Sequence, residues 1–235
     1  MSVFRYDDAI LAAFPGVVGG VITATGVTNG AAPSALAAAY VDEQTVVRER
    51  LGETPLSEVP SLAAWRVVFR GFGVNPTKDR SAAEALLRRL TKQGDIPSIN
   101  ALVDLANLVS IRYALPVAVF DQRDVVGGTT VRLARGDEAW ADLGGSETEH
   151  PEAGEVIFAD DADTVSARRW CWRQSRQSAA GPSTTDVLVT VEGHHEAASS
   201  DVAAALADLR ALIETHAAPA SLDEAILGID DPRFG

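Results

Sequence analysis

Apolar positions in the first half of the chain recur mostly at helical spacing, and those of the second half at the period of strands. VVGGVITATGV, from Val17, is apolar and β-branched enough for a buried strand, while SALAAAYVDEQTVVRER, from Ser34, has the alanine content and N-cap serine of a helix. Residues 1–60 therefore read as a helix, a strand and a second helix, and Pro55 and Pro60 mark a loop. Leu62, Trp65 and Phe69 then share one helical face, Arg66 and Arg70 share another, and Gly71 and Gly73 stop the helix. Ser81, with Glu84 three residues on, is a capping-box pattern. It opens a helix whose Leu86, Leu87 and Leu90 turn inward while Arg88, Arg89 and Lys92 stay wet, and Gly94 ends it. A further helix runs from Ser98 to a break before Pro116.

After Pro116 the period drops to two. VAVFD, TTVRLAR, EVIFAD, TVSARRWCWR and DVLVTVEG are strand segments, separated by Gly-Gly turns at 127–128 and 144–145 and an acidic turn at 160–163. A final helix carries Val202, Leu206, Leu209 and Ile213 on one stripe, and the residues after Pro219 read as an acidic surface extension. The expected architecture is one α+β domain over residues 1–235, its N-terminal helices packed on a mixed or antiparallel sheet, with 194–235 forming a C-terminal helix and tail.

Composition narrows the class. With 235 residues, 46% hydrophobic and 23% charged, the chain can bury a substantial core, which excludes disorder as its main state. No stretch approaches the roughly 18 to 20 apolar residues of a membrane span. The opening MSVFRYDDAI carries Asp7 and Asp8 where a secretory signal would carry bases, and the single cysteine, Cys171, allows neither an intrachain disulfide nor a thiolate metal cage. A cytoplasmic location without membrane or DNA partners is expected. The net charge is −13, yet residues 66–92 hold seven bases (Arg66, Arg70, Lys78, Arg80, Arg88, Arg89, Lys92) against Asp79 and Glu84, a local balance of +5 that leaves −18 elsewhere. The bulk charge repels a polyanion, so docking would be weak, oriented and salt-sensitive through one face.

Three features carry candidate chemistry. Asn100, Asp104 and Asn107, continued by Ser110, make a polar ladder on an otherwise apolar helix. Such groups need partners, either a satisfied structural network or the wall of a pocket, and the two can coexist. NPTKDR, residues 75–80, feeds a helix N-terminus where free amides favour an anion; its bland reading is a solvated face. If residues 165–173 form a strand, Arg168, Trp170 and Trp172 share one face and Arg169, Cys171 and Arg173 the other. The indoles can stack a base or an amino-acid ring, or they can be core, with the arginines paired to Asp160 or Asp163. There is no G-x-S-x-G elbow and no P-loop, and Ser199 spoils an H-E-x-x-H motif after His195 and Glu196. Asp160, Asp161 and Asp163 read as a turn before they read as a magnesium site, and Gly16, Gly19 and Gly20 precede a strand, unlike a dinucleotide fingerprint. No metal or cofactor is expected.

IPSINALVDLANLVSIRYALPVAVFD, residues 96–121, resembles the stretch of the bacterial phenylalanyl-tRNA synthetase beta subunit that reads in outline I-N-x-V-V-D-x-x-N and then G-Q-P-x-H-x-F-D. The likeness continues through VRLARGDE, EVIFADD and the Thr184–Thr185 pair, covering residues 60–193, and corresponds to that subunit's B3/4 tRNA-binding and editing domain. WR, NPTKDRSAAEALLRR and ARRWCWR look more like free-standing proteins built on the domain, and 235 residues leave no room for the synthetase's aminoacylation and anticodon-binding parts. The resemblance implies a pocket that hydrolyses the ester of a wrongly charged tRNA. Asn107 matches an asparagine of that pocket, with Asp104 and Ser110 helping to position a water and Thr185 opposite. Ala118 stands where the family has histidine, Ala114–Leu115 where it has Gly-Gln, and its strand glutamate falls at Thr190, with Glu192 two residues on. Asn100, Trp170, Arg168, Arg169 and Arg173 would hold the acceptor end, and Lys78, Arg80, Arg88 and Arg89 would meet the tRNA backbone. The alternative is a non-catalytic module that keeps the pocket for an amino acid or a protein.

Overall fold

The computed structural model describes residues 3–145 and 147–235. In chain order the elements are β1 (Phe4–Tyr6), α1 (Asp8–Ala13), β2 (Val18–Thr25), α2 (Ser34–Leu51), a 3-10 turn at Leu56–Glu58, α3 (Pro60–Gly71), α4 (Ala82–Gln93) and α5 (Ala101–Tyr113). There follow β3 (Val117–Asp121), β4 (Thr129–Leu133), β5 (Val156–Ala159), β6 (Val165–Arg168), β7 (Arg173–Gln174), β8 (Val187–Gly193), α6 (Ala198–His216), β9 (Ser221–Leu227) and β10 (Arg233–Phe234). The strands make two sheets, an antiparallel one in the order β3-β8-β2-β9 and a mixed one in the order β10-β1-β4-β5-β6-β7, where β1 and β4 run parallel.

The central strand β8 explains the layering. All seven of its residues are buried, so it is covered on both faces. Successive side chains of a strand alternate between faces. Val187, Val189 and Val191 join Ile22 of β2 in a core with α2, α5 and α6, whereas Leu188 joins Val21, Phe120, Phe158 and Trp170 in a second core between the sheets. Thr190 and Glu192 have the parity of Leu188 and belong to that inter-sheet face. Gly20 is required where β2 meets α6, since a Cβ there would lie 2.9 Å from a Val191 methyl and 3.0 Å from one of Leu206.

The expected single α+β domain is present, with local differences. The helix expected from Ser98 begins at Ala101, because Asn100 caps it through Oδ1 to the Val103 amide at 3.0 Å. The capping box at Ser81 is half made: Ser81 Oγ accepts the Glu84 amide at 3.3 Å, while the Glu84 carboxylate turns away to Arg66 at 2.6 Å. The strand expected over residues 165–173 is broken in two, since Arg169 and Trp170 adopt left-handed backbone with φ of 47° and 62°. Two such residues in succession are costly without glycine and persist only where their surroundings hold them.

The stretch after Pro219 is not a loose extension. β9 pairs along β2 from Thr25↔Ser221 to Gly19↔Leu227, and β10 pairs with β1. Its acidic, alternating SLDEAIL suits an edge strand, whose outer row of backbone groups stays in water and is protected by charge from pairing with other chains. Deleting residues 220–235 uncovers the edge of β2. The truncated chain is expected to melt several degrees lower by circular dichroism, since losing about 2 kcal/mol lowers Tm by roughly 4–8 °C at this size; an unchanged Tm would show that β9 adds nothing to the sheet.

Candidate functional site

Between the two sheets lies a cavity of about 80 Å³. Its floor is Ala118 and Phe120 of β3 with Thr190 and Glu192 of β8, and Ala118 and Thr190 are cross-strand neighbours. The roof is Phe158 of β5, Ala167 of β6 and the turn Trp170–Cys171–Trp172, with Ala82 at the start of α4 closing one end. The Ala82 amide donates to the Cys171 carbonyl at 2.8 Å, which ties the helix to the turn.

Glu192 is the polar centre of this cavity and is 2% exposed. Tyr6 Oη donates to its Oε1 at 2.6 Å and Trp170 Nε1 donates to the same atom at 2.9 Å. Among the described residues no protein donor reaches Oε2. Burial raises the Glu192 carboxyl to about 7, against the two hydrogen bonds that favour its charge. Gly19 makes the Tyr6 approach possible, because a Cβ there would lie 2.1 Å from the phenol oxygen. The same burial, reinforced by the Glu192 charge, pushes the Cys171 thiol well up, so Cys171 is not an activated nucleophile. His194 packs edge-on against Trp65 and Trp170, with ring centroids at 4.6 and 5.0 Å, and burial holds its imidazole down to about 3.

A second hollow, of about 400 Å³, adjoins the cavity. It is lined by Lys78, Arg80, Arg88, Arg89, Lys92 and Arg173, and it shares Trp172 and Arg173 with the cavity. Five of the seven bases of the +5 segment thus line one basic groove that ends at an apolar pocket. Arg80 lies 3.6 Å from Glu84 and Arg89 lies 3.5 Å from Asp95, but Lys78, Arg88 and Lys92 have no ion-pair partner among the described residues. Arg80, Arg88 and Lys92 also line a neighbouring hollow, together with Arg66.

The B3/4 domain family matches residues 64–226, more than half of the chain. The chain belongs to the B3/4 domain family. Phenylalanine–tRNA ligase beta subunits are among its relatives. That of Bradyrhizobium diazoefficiens is 35% identical over 116 residues, 49% of this chain and 14% of the relative. That of Shewanella oneidensis is 31% identical over 94 residues, 40% of this chain and 12% of the relative. The chain therefore spans a small part of the length of these relatives. An N-terminal fragment of the phenylalanyl-tRNA synthetase beta subunit from Pyrococcus horikoshii superposes with a TM-score of 0.47 and 11% identity, over 95% of this chain and 53% of that one.

In this B3/4 domain Ala118 and Thr190 sit side by side on the cavity floor, and Glu192 lies next along the same face. The polar ladder of α5 lies outside this cavity, and of its two readings the satisfied structural network is the one its hydrogen bonds match. Asp104 is wholly buried, taking the Ile99 amide at 2.8 Å and the Ser98 hydroxyl; Ser110 donates to the Leu115 carbonyl at 2.7 Å; Asn100 donates to the Ala180 carbonyl at 3.0 Å. Asn107 is half-buried beside Tyr40. None of the four lines the cavity. Thr185 is exposed and bonds Asp186, while its neighbour Thr184 is buried on Asp121, and neither lines the cavity.

The arginines of the broken strand divide likewise. Arg168 is buried and holds Glu155 with two bonds of 2.9 Å, its guanidinium 5.0 Å from the Trp140 ring. Arg169 is tied to Asp79 at 2.7 Å. Neither Arg168 nor Arg169 lines the groove; with Glu155 they brace the left-handed turn that aims Trp170 at Glu192. Of the expected acceptor-end residues, Trp170 lines the cavity and Arg173 lines both cavity and groove. Asp160 caps its own turn through the Val126, Ala162 and Thr164 amides, and Asp163 pairs with Arg132 and Arg135. No cluster of metal-ligating side chains occurs among the described residues, and no described helix is long and apolar enough to cross a membrane. The helix N-terminus after NPTKDR is already served, Ala82 by Cys171 and Glu84 by Ser81.

Tyr6, Ala82 and Cys171 are cavity or support residues with no motif of their own. Glu192 was singled out in the sequence by the resemblance, two residues from the family's strand glutamate, and strand parity on β8 puts it on the same face as Thr190. A carboxyl raised in the folded state contributes stability below its unfolded value of 4.5 that is lost as pH rises through about 7. Glu192→Gln removes this loss, so its stability to urea should gain on wild type between pH 4.5 and 8, by roughly 3 kcal/mol at most. Parallel pH curves would place the carboxyl in contact with bulk water.

Proposed function

We propose that the protein binds the aminoacylated 3′ end of a tRNA and hydrolyses the ester of a wrongly attached amino acid in trans, acting in the cytoplasm. The observation that carries this reading is the junction at Trp172 and Arg173, where a basic groove meets an apolar cavity holding one buried carboxylate. A charged tRNA end has that sequence of chemistries: phosphates, then an unpaired nucleoside, then a small amphipathic acyl group. In this scheme Lys78, Arg80, Arg88, Arg89 and Lys92 take the backbone phosphates, and the aminoacyl group enters between Ala118, Phe120 and Phe158. A cavity of about 80 Å³ is well below the roughly 150 Å³ that accommodates benzene in another protein's engineered cavity, which favours a small side chain over an aromatic one.

The chemistry needs a water and a base. Water oxygen bonds to the ester carbonyl carbon, the carbon–oxygen bond to the ribose breaks, and the ribose oxygen departs as a hydroxyl after taking a proton. Glu192, raised to about 7, is a base matched to neutral pH, and its Oε2 is open for the attacking water while Tyr6 and Trp170 hold Oε1. Aminoacyl esters are already activated, so orientation supplies much of the rate. Asn107, Asp104 and Ser110 serve the fold of α5 in this scheme, and the reacting centre moves to β8.

Purified protein is expected to deacylate at least one tRNA in a panel of mischarged tRNAs faster than buffer does. Glu192→Gln should slow that turnover by about 100-fold or more with tRNA affinity within a factor of two. Arg88→Ala with Lys92→Ala should instead weaken affinity and flatten its salt dependence by about one unit of log–log slope per lost phosphate contact. Binding of tRNA without deacylation of any member would leave a non-catalytic module as the correct reading.

A further inference from the structure

The four tryptophans are not equivalent. Trp65, Trp140 and Trp170 are fully buried, and two of their indole N–H groups are committed, that of Trp65 to the Glu192 carbonyl and that of Trp170 to the Glu192 carboxylate. Trp172 is half-buried and lines both the basic groove and the apolar cavity. Two guanidinium groups lie against its ring, Arg169 at 4.5 Å and Arg173 at 4.8 Å from the centroid. The two differ in freedom. Arg169 is anchored to Asp79 with a side chain 17% exposed, whereas Arg173 is 50% exposed and held by one surface pair with Asp142 at 2.5 Å.

We infer that Trp172 is a stacking platform for the unpaired 3′-terminal nucleobase of the RNA, with Arg169 as its fixed backing and Arg173 as a side chain that the base displaces toward the phosphates. The inference rests on the reading that the groove takes RNA. A strand lying along Arg88 and Lys92 must pass Trp172 to deliver its terminal ribose to the cavity. A base on an aromatic ring contributes roughly 5- to 150-fold in affinity, against at most about five-fold each for the exposed Arg173–Asp142 pair and the Arg173 contact with the ring that it replaces. Released from Asp142, the Arg173 guanidinium adds a positive charge to a groove that already holds Lys78, Arg88 and Lys92.

The test uses the full chain and a short, dye-labelled single-stranded RNA ending in adenosine, alongside the same RNA with an abasic 3′ end, read by fluorescence anisotropy across a salt series. Wild type should bind the intact RNA about ten-fold more tightly than the abasic one. Trp172→Ala should lose that ten-fold on the intact RNA, bind the abasic RNA within two-fold of wild type, and keep the wild-type salt slope. Trp172→Phe, which retains a ring, should recover most of the loss and so exclude misfolding as its cause. Arg88→Ala should weaken both RNAs equally and flatten the slope. An equal effect of Trp172→Ala on the two RNAs, or none on either, would overturn the stacking role. Absence of any RNA binding by wild type at low salt would overturn both the groove reading and this one. Base-dependent binding with no deacylation of any charged tRNA would support the platform and remove hydrolysis alone.

Discussion

A carboxylate enclosed between two sheets must be met by donors, and several unusual local features of this molecule serve that requirement at Glu192. The phenol of Tyr6 comes from a three-residue strand at the start of the chain, and it reaches Oε1 only because Gly19 has no side chain. The indole of Trp170 arrives through a left-handed turn that non-glycine residues rarely adopt. The Arg168–Glu155 pair and the Arg169–Asp79 pair hold that turn in place. Buried ion pairs often add little net stability, and their attested use is to specify one arrangement over others. Here the arrangement specified is the cavity roof.

Charge is organised on a larger scale by the same fold. The chain carries −13 overall, but α4 and the loop before it expose their bases toward the mouth of the cavity. Acidic partners brace some of these bases, as Glu84 does for Arg66 and Arg80, and leave Lys78, Arg88 and Lys92 free for a ligand. Under the proposed function, a polyanion is repelled by the acidic bulk of the surface and attracted to the bases on and before α4, so its orientation is set before contact. Screening by salt weakens that selection, which links the expected salt dependence of binding to its direction of approach.

The B3/4 family, the α+β class and most of the helices and strands were legible in the chain, because hydrophobic period and turn residues act locally. The helix bearing Leu87 and Leu90 and the buried segment around Val189 are cases in which pattern and burial agree. The short strands β1 and β10 and the acidic β9 were not legible, since two to seven residues carry too little pattern and their hydrogen bonds lie across the whole chain. The ladder of α5 was visible as an anomaly, yet its use was not. Buried polar side chains look alike in sequence whether they cap a helix, as Asn100 and Asp104 do, or line a pocket.

By itself the sequence determined the family, the fold class and the basic segment. Tertiary structure decided where those features meet. Strand register sets Ala118 beside Thr190 and turns Glu192 into the same space, and the packing of α4 against the turn at Cys171 brings the bases of one helix to the mouth of that space. The physical reason is that a cavity is made of side chains from distant segments, here β3, β5, β6, β8 and α4. Its size, its wetness and the protonation of its carboxyl depend on the three-dimensional closeness of those segments, which no local pattern in the chain encodes.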